Sequence, residues 1–275
     1  MKSLSKIVMA AALLTASCTT VTVVDEHLVV EGWIEDGGAP MVFVTSSLVA
    51  EPHTWNWDDL SDHILNWATV SIDDGEKTVF LTGTPREDLF PPYVYTTSKL
   101  KGEAGKTYKL NVKYGKTEVS AVTTVPAKQE LKDISIEEGG DGYVINCTFD
   151  AKPSSRYKFF SKRKNKDKMF VTSYLAMANG DTDPGETHMK VNRGYDLMAQ
   201  DRYKMGFDPA DTVYVRFCTV DKEGFEFWHQ YEELTLFSRN PLVPVTSMVK
   251  GNIEGGYGCW IGYGASYYTV EIPEE

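Results

Sequence analysis

Short runs of alternating apolar and polar residues recur along most of the chain, and glycine, proline or aspartate residues separate them. The clearest pair is 67–72 and 77–81, which flanks the turn Asp73-Asp74-Gly75 and predicts a β-hairpin. Short strands at regular spacing, with turn residues between them, are typical of a β-sandwich. Before Pro126, the same pattern predicts further strands at 28–34, 41–45, 105–112 and 118–125.

A second set of predicted strands begins after Leu131 and covers 142–149, 157–160 and 211–220. One amphipathic helix is predicted at about 225–237. Within it, Phe227, Tyr231 and Leu234 recur at helical spacing, so one face of the helix is apolar. We expect this face to pack on the second set of strands.

These patterns predict a mainly β fold of two immunoglobulin- or fibronectin-like β-sandwich modules, with one α-helix in the C-terminal half of the chain. The first module is expected at 27–126 and the second at 127–275. The second module ends in a segment rich in glycine and aromatic residues, from Gly255 to Tyr268. Glycines allow close approach of the backbone, so this segment either packs within the fold or forms a ligand or partner surface.

The N-terminus has the features of a bacterial export signal. Two lysines precede an apolar run at 7–14, which is too short to span a bilayer. Small residues then lead to Cys18, an arrangement that resembles the lipobox of bacterial lipoproteins, in which the cysteine is acylated. We therefore expect a signal peptide at 1–17, an acyl chain such as palmitate on Cys18, and a tether at 18–26. The alternative is an ordinary secretory signal that contains a cysteine.

Composition narrows the class of partner. Lysine and arginine number 28 against 39 aspartate and glutamate residues, which gives a formal charge of −11. Removal of residues 1–17, which hold two lysines and no acidic residue, changes this charge to −13. Nucleic-acid binding requires a basic face, so we expect no nucleic-acid partner. With 42% hydrophobic and 12% aromatic residues, the chain can bury a core and is not intrinsically disordered.

Three tryptophans are the candidate binding residues. Trp55 and Trp57 lie in a polar segment that we expect to be a loop, and Trp67 follows it. Indole rings in loops offer flat apolar faces to a small molecule, a glycan, a peptide or a partner protein. The alternative is that they cap the first sandwich by packing against the aromatic and proline residues at 90–93. The basic stretch 162–168 is a second candidate contact for cargo or a receptor.

The sequence contains no recognisable catalytic or metal-binding motif. Both the Gly-x-Ser-x-Gly and the His-Glu-x-x-His patterns are missing from it. His53 and His63 lie in one acidic segment, and 181–186 clusters carboxylates, but a solvated loop and a polar turn explain these two features better. We therefore expect a non-enzymatic protein with no cofactor and no bound metal.

Cys147 and Cys218 each lie within a predicted strand of the second module. Facing strands of immunoglobulin-like sandwiches are often bridged, and the cell envelope permits oxidation, so a disulfide between them is one prediction. Two separate buried thiols are the alternative, and Cys259 remains unpaired in either case. Thr212, within Asp211-Thr212-Val213, resembles the short pattern that Bacteroidetes O-glycosylate on exported proteins and is a candidate glycosylation site.

Several segments resemble one protein family. The stretch Asn252-Ile253-Glu254-Gly255-Gly256-Tyr257-Gly258, followed by Gly262-Tyr263, is similar to the ending of a Bacteroidetes lipoprotein family known as domain of unknown function 4249. Residues 29–34 resemble its opening strand, and 68–75 resemble its hairpin. The resemblance implies an outer-membrane lipoprotein associated with TonB-dependent receptors, on either the cell surface or the periplasmic face.

On this resemblance, we expect a lipid-anchored accessory that binds cargo or a partner for a TonB-dependent outer-membrane transporter in nutrient uptake. The cargo class stays open among small molecules, glycans and peptides. The alternative is a structural or adhesive envelope lipoprotein with no transport role. The resemblance supplies no catalytic residue.

Overall fold

The computed structural model describes residues 27–47, 61–194, 204–238 and 249–274. Within these ranges the chain forms fifteen β-strands and one α-helix, which confirms the mainly β fold class. The strands before Pro126 are β1 (Leu28–Glu35), β2 (Met41–Ser46), β3 (Thr69–Asp73), β4 (Thr78–Phe80), β5 (Thr82–Pro85), β6 (Tyr93–Thr96), β7 (Thr107–Tyr114) and β8 (Thr117–Thr124). The later elements are β9 (Asp133–Gly139), β10 (Gly142–Ala151), β11 (Arg156–Arg163), β12 (Val171–Asn179), β13 (Gly185–Val191), β14 (Thr212–Val220), α1 (Lys222–Ser238) and β15 (Tyr257–Glu271).

The described strands form three sheets, and the largest contains eight strands in the order β12-β11-β14-β15-β1-β2-β6-β5. A four-stranded sheet, β4-β3-β7-β8, packs on the half that contains β1 and β2. A three-stranded sheet, β13-β10-β9, packs on the half that contains β11 and β14. The result is two β-sandwiches that share one continuous sheet.

Each sandwich has its own apolar core. Alternation along β1 directs Val30 and Ile34 into the first core, where both are fully buried. The second core is centred on Phe217, whose ring centroid lies 4.6 Å from that of Phe159 and 4.7 Å from that of Phe149. Burial of one such aromatic side chain contributes about 1.5–3 kcal/mol, so these clusters are the main source of stability.

The last strand, β15, joins the two sandwiches. It pairs in parallel with β1 and antiparallel with β14. Its residue Trp260 is buried in the first core, where the indole Nε1 donates to the carbonyl oxygen of Tyr108 at 3.1 Å, and its residue Val270 is buried in the second core. The C-terminal strand is therefore hydrogen-bonded to the first strand of the fold.

The end of β8 and the link that follows it cross β15 closely, at two glycines of β15. This link contains the predicted module boundary near Pro126. A Cβ atom on Gly262 would lie 2.6 Å from the carbonyl oxygen of Thr124, and one on Gly264 would lie 2.5 Å from that of Pro126. Neither position has room for a side chain. For these two glycines, the structure favours the packing interpretation of the C-terminal segment.

Helix α1 covers part of the outer face of the large sheet. It begins three residues before the predicted start because Asp221 caps it, with Oδ1 accepting from the Gly224 N–H at 2.7 Å. Phe225 and Trp228 pack against a third apolar cluster on this face, which includes Ile261. Across the parts of the chain that the structure describes, no helix has the length and apolarity of a membrane span.

A buried ion pair attaches α1 to the sheet. The Lys158 ammonium on β11 donates to Glu232 Oε1 on α1 at 2.5 Å and to the Ser173 carbonyl oxygen at 2.7 Å. Glu232 also accepts from the Thr172 hydroxyl at 3.1 Å and from the Leu175 N–H at 3.1 Å. Burial lowers the pKa of Lys158 below its usual value, and the attraction of Glu232 opposes this shift.

The predicted Cys147–Cys218 disulfide is not formed, because both residues are free thiols. Cys147 lies in the core of the second sandwich, whereas Cys218 lies in the cluster beneath α1, on the opposite face of the large sheet. Successive side chains of a strand point to opposite faces, so Phe217 faces the core and Cys218 points away from it. The alternative of separate buried thiols is correct, and burial raises the pKa of both thiols to about 12.

Candidate ligand-binding pocket

A pocket of about 140 Å³ lies on the outer face of the eight-stranded sheet, beside α1. Its floor consists of outward-facing side chains from four adjacent strands. These side chains are Phe160 on β11, Arg216 on β14, Tyr263 on β15 and Trp33 on β1. The alternation that fills the two cores on the inner face therefore also builds this floor.

Aromatic and aliphatic side chains from the helix and two loops form the walls. Trp228 of α1 lies with its ring centroid 5.1 Å from that of Phe160, and its Nε1 donates to the Tyr263 hydroxyl at 2.8 Å. Phe170 comes from the segment between β11 and β12, and Leu89 from the segment between β5 and β6. The pocket is thus enclosed by parts of the chain that are distant in sequence.

The Arg216 guanidinium is the central polar group of the pocket. Arg216 is only 5% exposed, and its Cζ lies 4.4 Å from the centroid of the Tyr263 ring and 5.2 Å from that of Phe160. Its Nη2 forms an ion pair with Glu35 Oε1. Its Nε is buried and has no hydrogen-bond partner within the described ranges. The surrounding protein thus leaves part of the hydrogen-bonding capacity of this cation unused.

The Glu35 carboxylate, which is not part of the pocket lining, balances the positive charge of Arg216. The Tyr267 hydroxyl donates to Glu35 Oε2, on the other side of the carboxylate from Arg216. Desolvation raises the pKa of Tyr267, so this hydroxyl remains protonated and continues to donate. The carboxylate is therefore held between two partners and keeps the guanidinium in place at the pocket floor.

Two lysines join the loops that overhang the pocket. The Lys162 ammonium donates to the Lys168 carbonyl oxygen at 2.8 Å, and the Lys168 ammonium donates to the Glu87 carbonyl oxygen at 3.1 Å. Both lysines line the pocket. The pocket lining thus carries three cationic side chains, two lysines and one arginine.

Within the basic stretch 162–168, Arg163 and Lys166 form ion pairs with nearby carboxylates outside the pocket lining. The Arg163 guanidinium contacts both carboxylate oxygens of Asp167, with distances of 2.6 to 3.2 Å. The Lys166 ammonium lies 2.9 Å from Asp208 Oδ2 and 2.7 Å from Asp211 Oδ1. Only part of the stretch predicted to contact cargo therefore reaches the pocket.

Glu31 and Cys259 complete the chemistry of the lining. Glu31 is an exposed residue of β1 and supplies the one carboxylate of the lining. Burial raises the pKa of the Cys259 thiol well above its usual value, so this thiol is protonated at neutral pH and behaves as an apolar group. Among the described residues, no group of three His, Cys, Asp or Glu side chains is arranged to hold a metal ion.

The tryptophans singled out in the sequence do not form this pocket. Trp67 precedes β3, is 86% exposed and is not part of the pocket lining. Trp55, Trp57 and Cys18 lie outside the described residues. Thr212, the candidate glycosylation site, is the half-buried first residue of β14, and its glycosylation stays a prediction.

Sequence reasoning missed Arg216, Trp33 and Tyr263 as site residues. A signal for Arg216 was available, because it is the one charged residue within the apolar strand Val213–Val220. Trp33 and Tyr263 had no comparable signal, since an aromatic residue in a strand is normally a core residue. Their convergence depends on the parallel pairing of β1 with β15, which no local pattern predicts.

The fold and the pocket together define a double β-sandwich protein with a small aromatic pocket on the helix-covered face of its shared sheet. The family DUF4249, described as a domain of unknown function, matches residues 19–269. The chain belongs to this family. A search of curated proteins finds no significant match.

Proposed function

We propose that the protein is a lipid-anchored, non-catalytic accessory of a TonB-dependent outer-membrane transporter, and that it captures a small ligand in the pocket around Arg216. The observation that carries this proposal is the pocket itself, in which a few cationic groups converge within aromatic walls. Concave, mainly apolar sites with a small number of placed polar groups are typical of small-molecule binding.

The burial of Arg216 supports a functional role for the pocket. An apolar residue of similar volume at a buried ionic position is often neutral or stabilising, so stability alone does not favour an arginine there. Arg216 also keeps a buried Nε without a hydrogen-bond partner among the described residues. Glu35 supplies one negative charge to the guanidinium, and a ligand carboxylate that shares the guanidinium with Glu35 would give this buried ion pair a role in recognition.

The lining favours binding over catalysis. Its described residues include neither histidine nor serine, and its one thiol, Cys259, has a pKa raised well above the usual value by burial. A protonated, buried thiol is a poor nucleophile. The proposed role therefore requires recognition of a ligand and no chemical step.

The N-terminal residues supply the proposed anchor. Acylation of Cys18 would hold the protein at a membrane, and the nine residues of the tether at 18–26 span at most about 30 Å when extended. We propose that Trp67, together with Trp55 and Trp57, contacts the transporter. The 86% exposure of Trp67 supports this part of the proposal, because exposed indole rings are frequent anchors in protein interfaces.

Capture of the full-length, C-terminally tagged protein from native membranes tests the proposed partner. After mild crosslinking and detergent extraction, mass spectrometry is expected to identify a TonB-dependent transporter among the captured proteins. The intact mass of the mature protein is expected to show an acyl modification on Cys18, and Cys18→Ser should abolish both the modification and the capture. Recovery of the acylated protein without any transporter would contradict the proposed role.

A matched pair of surface variants tests the tryptophan contact. Trp67→Ala is expected to reduce the recovery of the transporter. Phe80→Ala removes another exposed aromatic ring, which is 65% exposed on β4, and is expected to leave recovery unchanged. Equal recovery with both variants would rule out Trp67 as the contact.

A further inference from the structure

The volume of the pocket restricts its ligand to about one ring. The cavity measures about 140 Å³, and an apolar protein cavity of about 150 Å³ accommodates one benzene molecule. The residues that line it include two tryptophans, two phenylalanines and one tyrosine. Aromatic side chains form favourable offset and edge-to-face contacts with another ring, so the body of the ligand is planar and apolar.

The charges of the lining determine the polar group of the ligand. The lining contains three cations, Lys162, Lys168 and Arg216, and one carboxylate, that of Glu31. Glu35, which pairs with Arg216 from outside the lining, is a second carboxylate, so three cations face two carboxylates and the local formal charge is +1, in a chain whose overall formal charge is −11. A local excess of positive charge within an acidic protein selects an anionic group.

The planar guanidinium favours a carboxylate as this group. Arginine donors match carboxylate oxygens, and Arg216 Nη2 already holds the Glu35 carboxylate in this way. The aromatic rings around Arg216 reduce its exposure to water, which strengthens its attraction for a second carboxylate. We propose that the pocket binds a small aromatic carboxylate, a single ring bearing one carboxylate group, with the carboxylate towards Arg216 and the ring against Trp33 and Trp228. This inference rests on the proposed role in ligand capture and is independent of the transporter.

Calorimetry on the full-length protein in detergent, with benzoate as the probe, tests the ligand class. Benzamide has nearly the same shape without the charge, and its affinity is expected to be at least about tenfold lower. Acetate supplies the charge without the ring, and inorganic phosphate supplies a different anion, so both are expected to bind far more weakly than benzoate. No benzoate binding, equal affinity for benzamide, or stronger binding of phosphate would overturn the proposal.

Two lysine variants test whether benzoate binds in this pocket. Lys162→Met removes a cation at the pocket while keeping an apolar side chain, and is expected to weaken benzoate binding about fivefold to tenfold. Lys116→Met makes the same change in the exposed β7–β8 turn and is expected to leave the affinity unchanged. Unfolding curves for both variants establish that the fold is intact. Equal benzoate affinity in the two variants would exclude this pocket as the site.

The two proposals fail in distinguishable ways. Transporter capture without benzoate binding would contradict the ligand class alone. Benzoate binding at this pocket without transporter capture would contradict the transport role and leave the ligand class intact.

Discussion

The two faces of β14 differ sharply in chemistry. On the inner face, Val213, Val215 and Phe217 fill the core of the second sandwich with apolar side chains only. On the outer face, Arg216 is buried among aromatic rings and paired with Glu35. The same strand therefore supplies a stabilising core to one side and a charged site to the other.

This comparison shows how the fold separates stability from recognition. The inner face gains free energy from apolar burial, which does not depend on the placement of a charge. The outer face, in contrast, contains buried ions that each need a partner, namely Arg216 with Glu35 and Lys158 with Glu232. Substitutions on the inner face should reduce stability, and substitutions in the outer pocket should mainly alter binding.

Truncation of Phe217 is the strongest test of this separation. Phe217→Ala removes a fully buried ring that stacks on Phe159 and Tyr157, and we expect the free energy of unfolding to fall by about 4 kcal/mol. Chemical denaturation measures this change. Phe170→Ala removes a half-buried ring from the pocket wall, and we expect a stability loss of only about 1 kcal/mol together with weaker benzoate binding. Similar losses of stability in the two variants would contradict the division between the faces.

The Lys158–Glu232 ion pair beneath α1 tests whether each buried ion on the outer face needs a partner of opposite charge. Glu232→Leu leaves the Lys158 ammonium buried without its carboxylate, and we expect a destabilisation of about 3 kcal/mol in urea unfolding. In the double variant Lys158→Met with Glu232→Leu no charge remains unpaired, so most of this loss should be recovered. If the double variant is as unstable as the sum of the single variants, the ions contribute independently and the explanation is wrong.

A substitution at Gly262 tests how the two sandwiches are joined, because the chain at the end of β8 crosses β15 at this glycine. Gly262→Ala would place a methyl group 2.6 Å from the Thr124 carbonyl oxygen, and we expect a destabilisation of about 2 kcal/mol. Gly140→Ala is the matched control, because a Cβ atom there has no neighbour within 4 Å. Thermal unfolding of both variants makes the comparison. A neutral Gly262→Ala would mean that the link is not held against the strand.

The sequence predicted local elements well because their patterns are local. The hairpin around Asp73-Asp74-Gly75 and the helix at about 225–237 both depend on neighbouring residues, and both are found close to their predicted positions. The disulfide prediction was wrong. It depended on which faces of the two cysteine-containing strands point towards each other, and the sequence does not show this. Strand periodicity shows that Phe217 and Cys218 point to opposite faces, but it does not show which of them faces Cys147.

The pocket was beyond sequence reasoning for the same physical reason. Its floor combines Trp33 from the first strand with Tyr263 from the last, and these residues meet only because β1 and β15 pair in parallel. Pairing between the ends of a chain depends on the packing of the whole fold. The lone Arg216 in an apolar strand was the single local sign that this face carries more than packing.

The smallest expected change in the free energy of unfolding comes from the charge of Asp74, which lies away from both faces of β14. Asp74, in the β3–β4 turn, accepts from the Lys77 N–H at 2.9 Å, the Glu76 N–H at 3.1 Å and the Lys106 ammonium at 3.2 Å. The hydrogen bond from Lys77 is the largest of the effects that lower the pKa of Asp74 from 3.8 to about 2. A carboxyl whose pKa is lower in the folded state stabilises the fold above its unfolded pKa. This contribution is lost as the pH falls towards the folded value.

Asp74→Asn should therefore lower the free energy of unfolding by about 1 kcal/mol at neutral pH, since the amide keeps the shape of the side chain without its charge. Because the stabilising charge of Asp74 is lost on protonation, the difference between the two proteins should shrink as the pH falls from about 4 to about 2. Urea unfolding at a series of pH values measures this difference. Glu138→Gln, which removes a carboxylate from an exposed position of β9, provides the control variant. A difference between wild type and Asp74→Asn that stays constant down to acid pH would show that the turn is stabilised by the shape of the side chain and not by its charge.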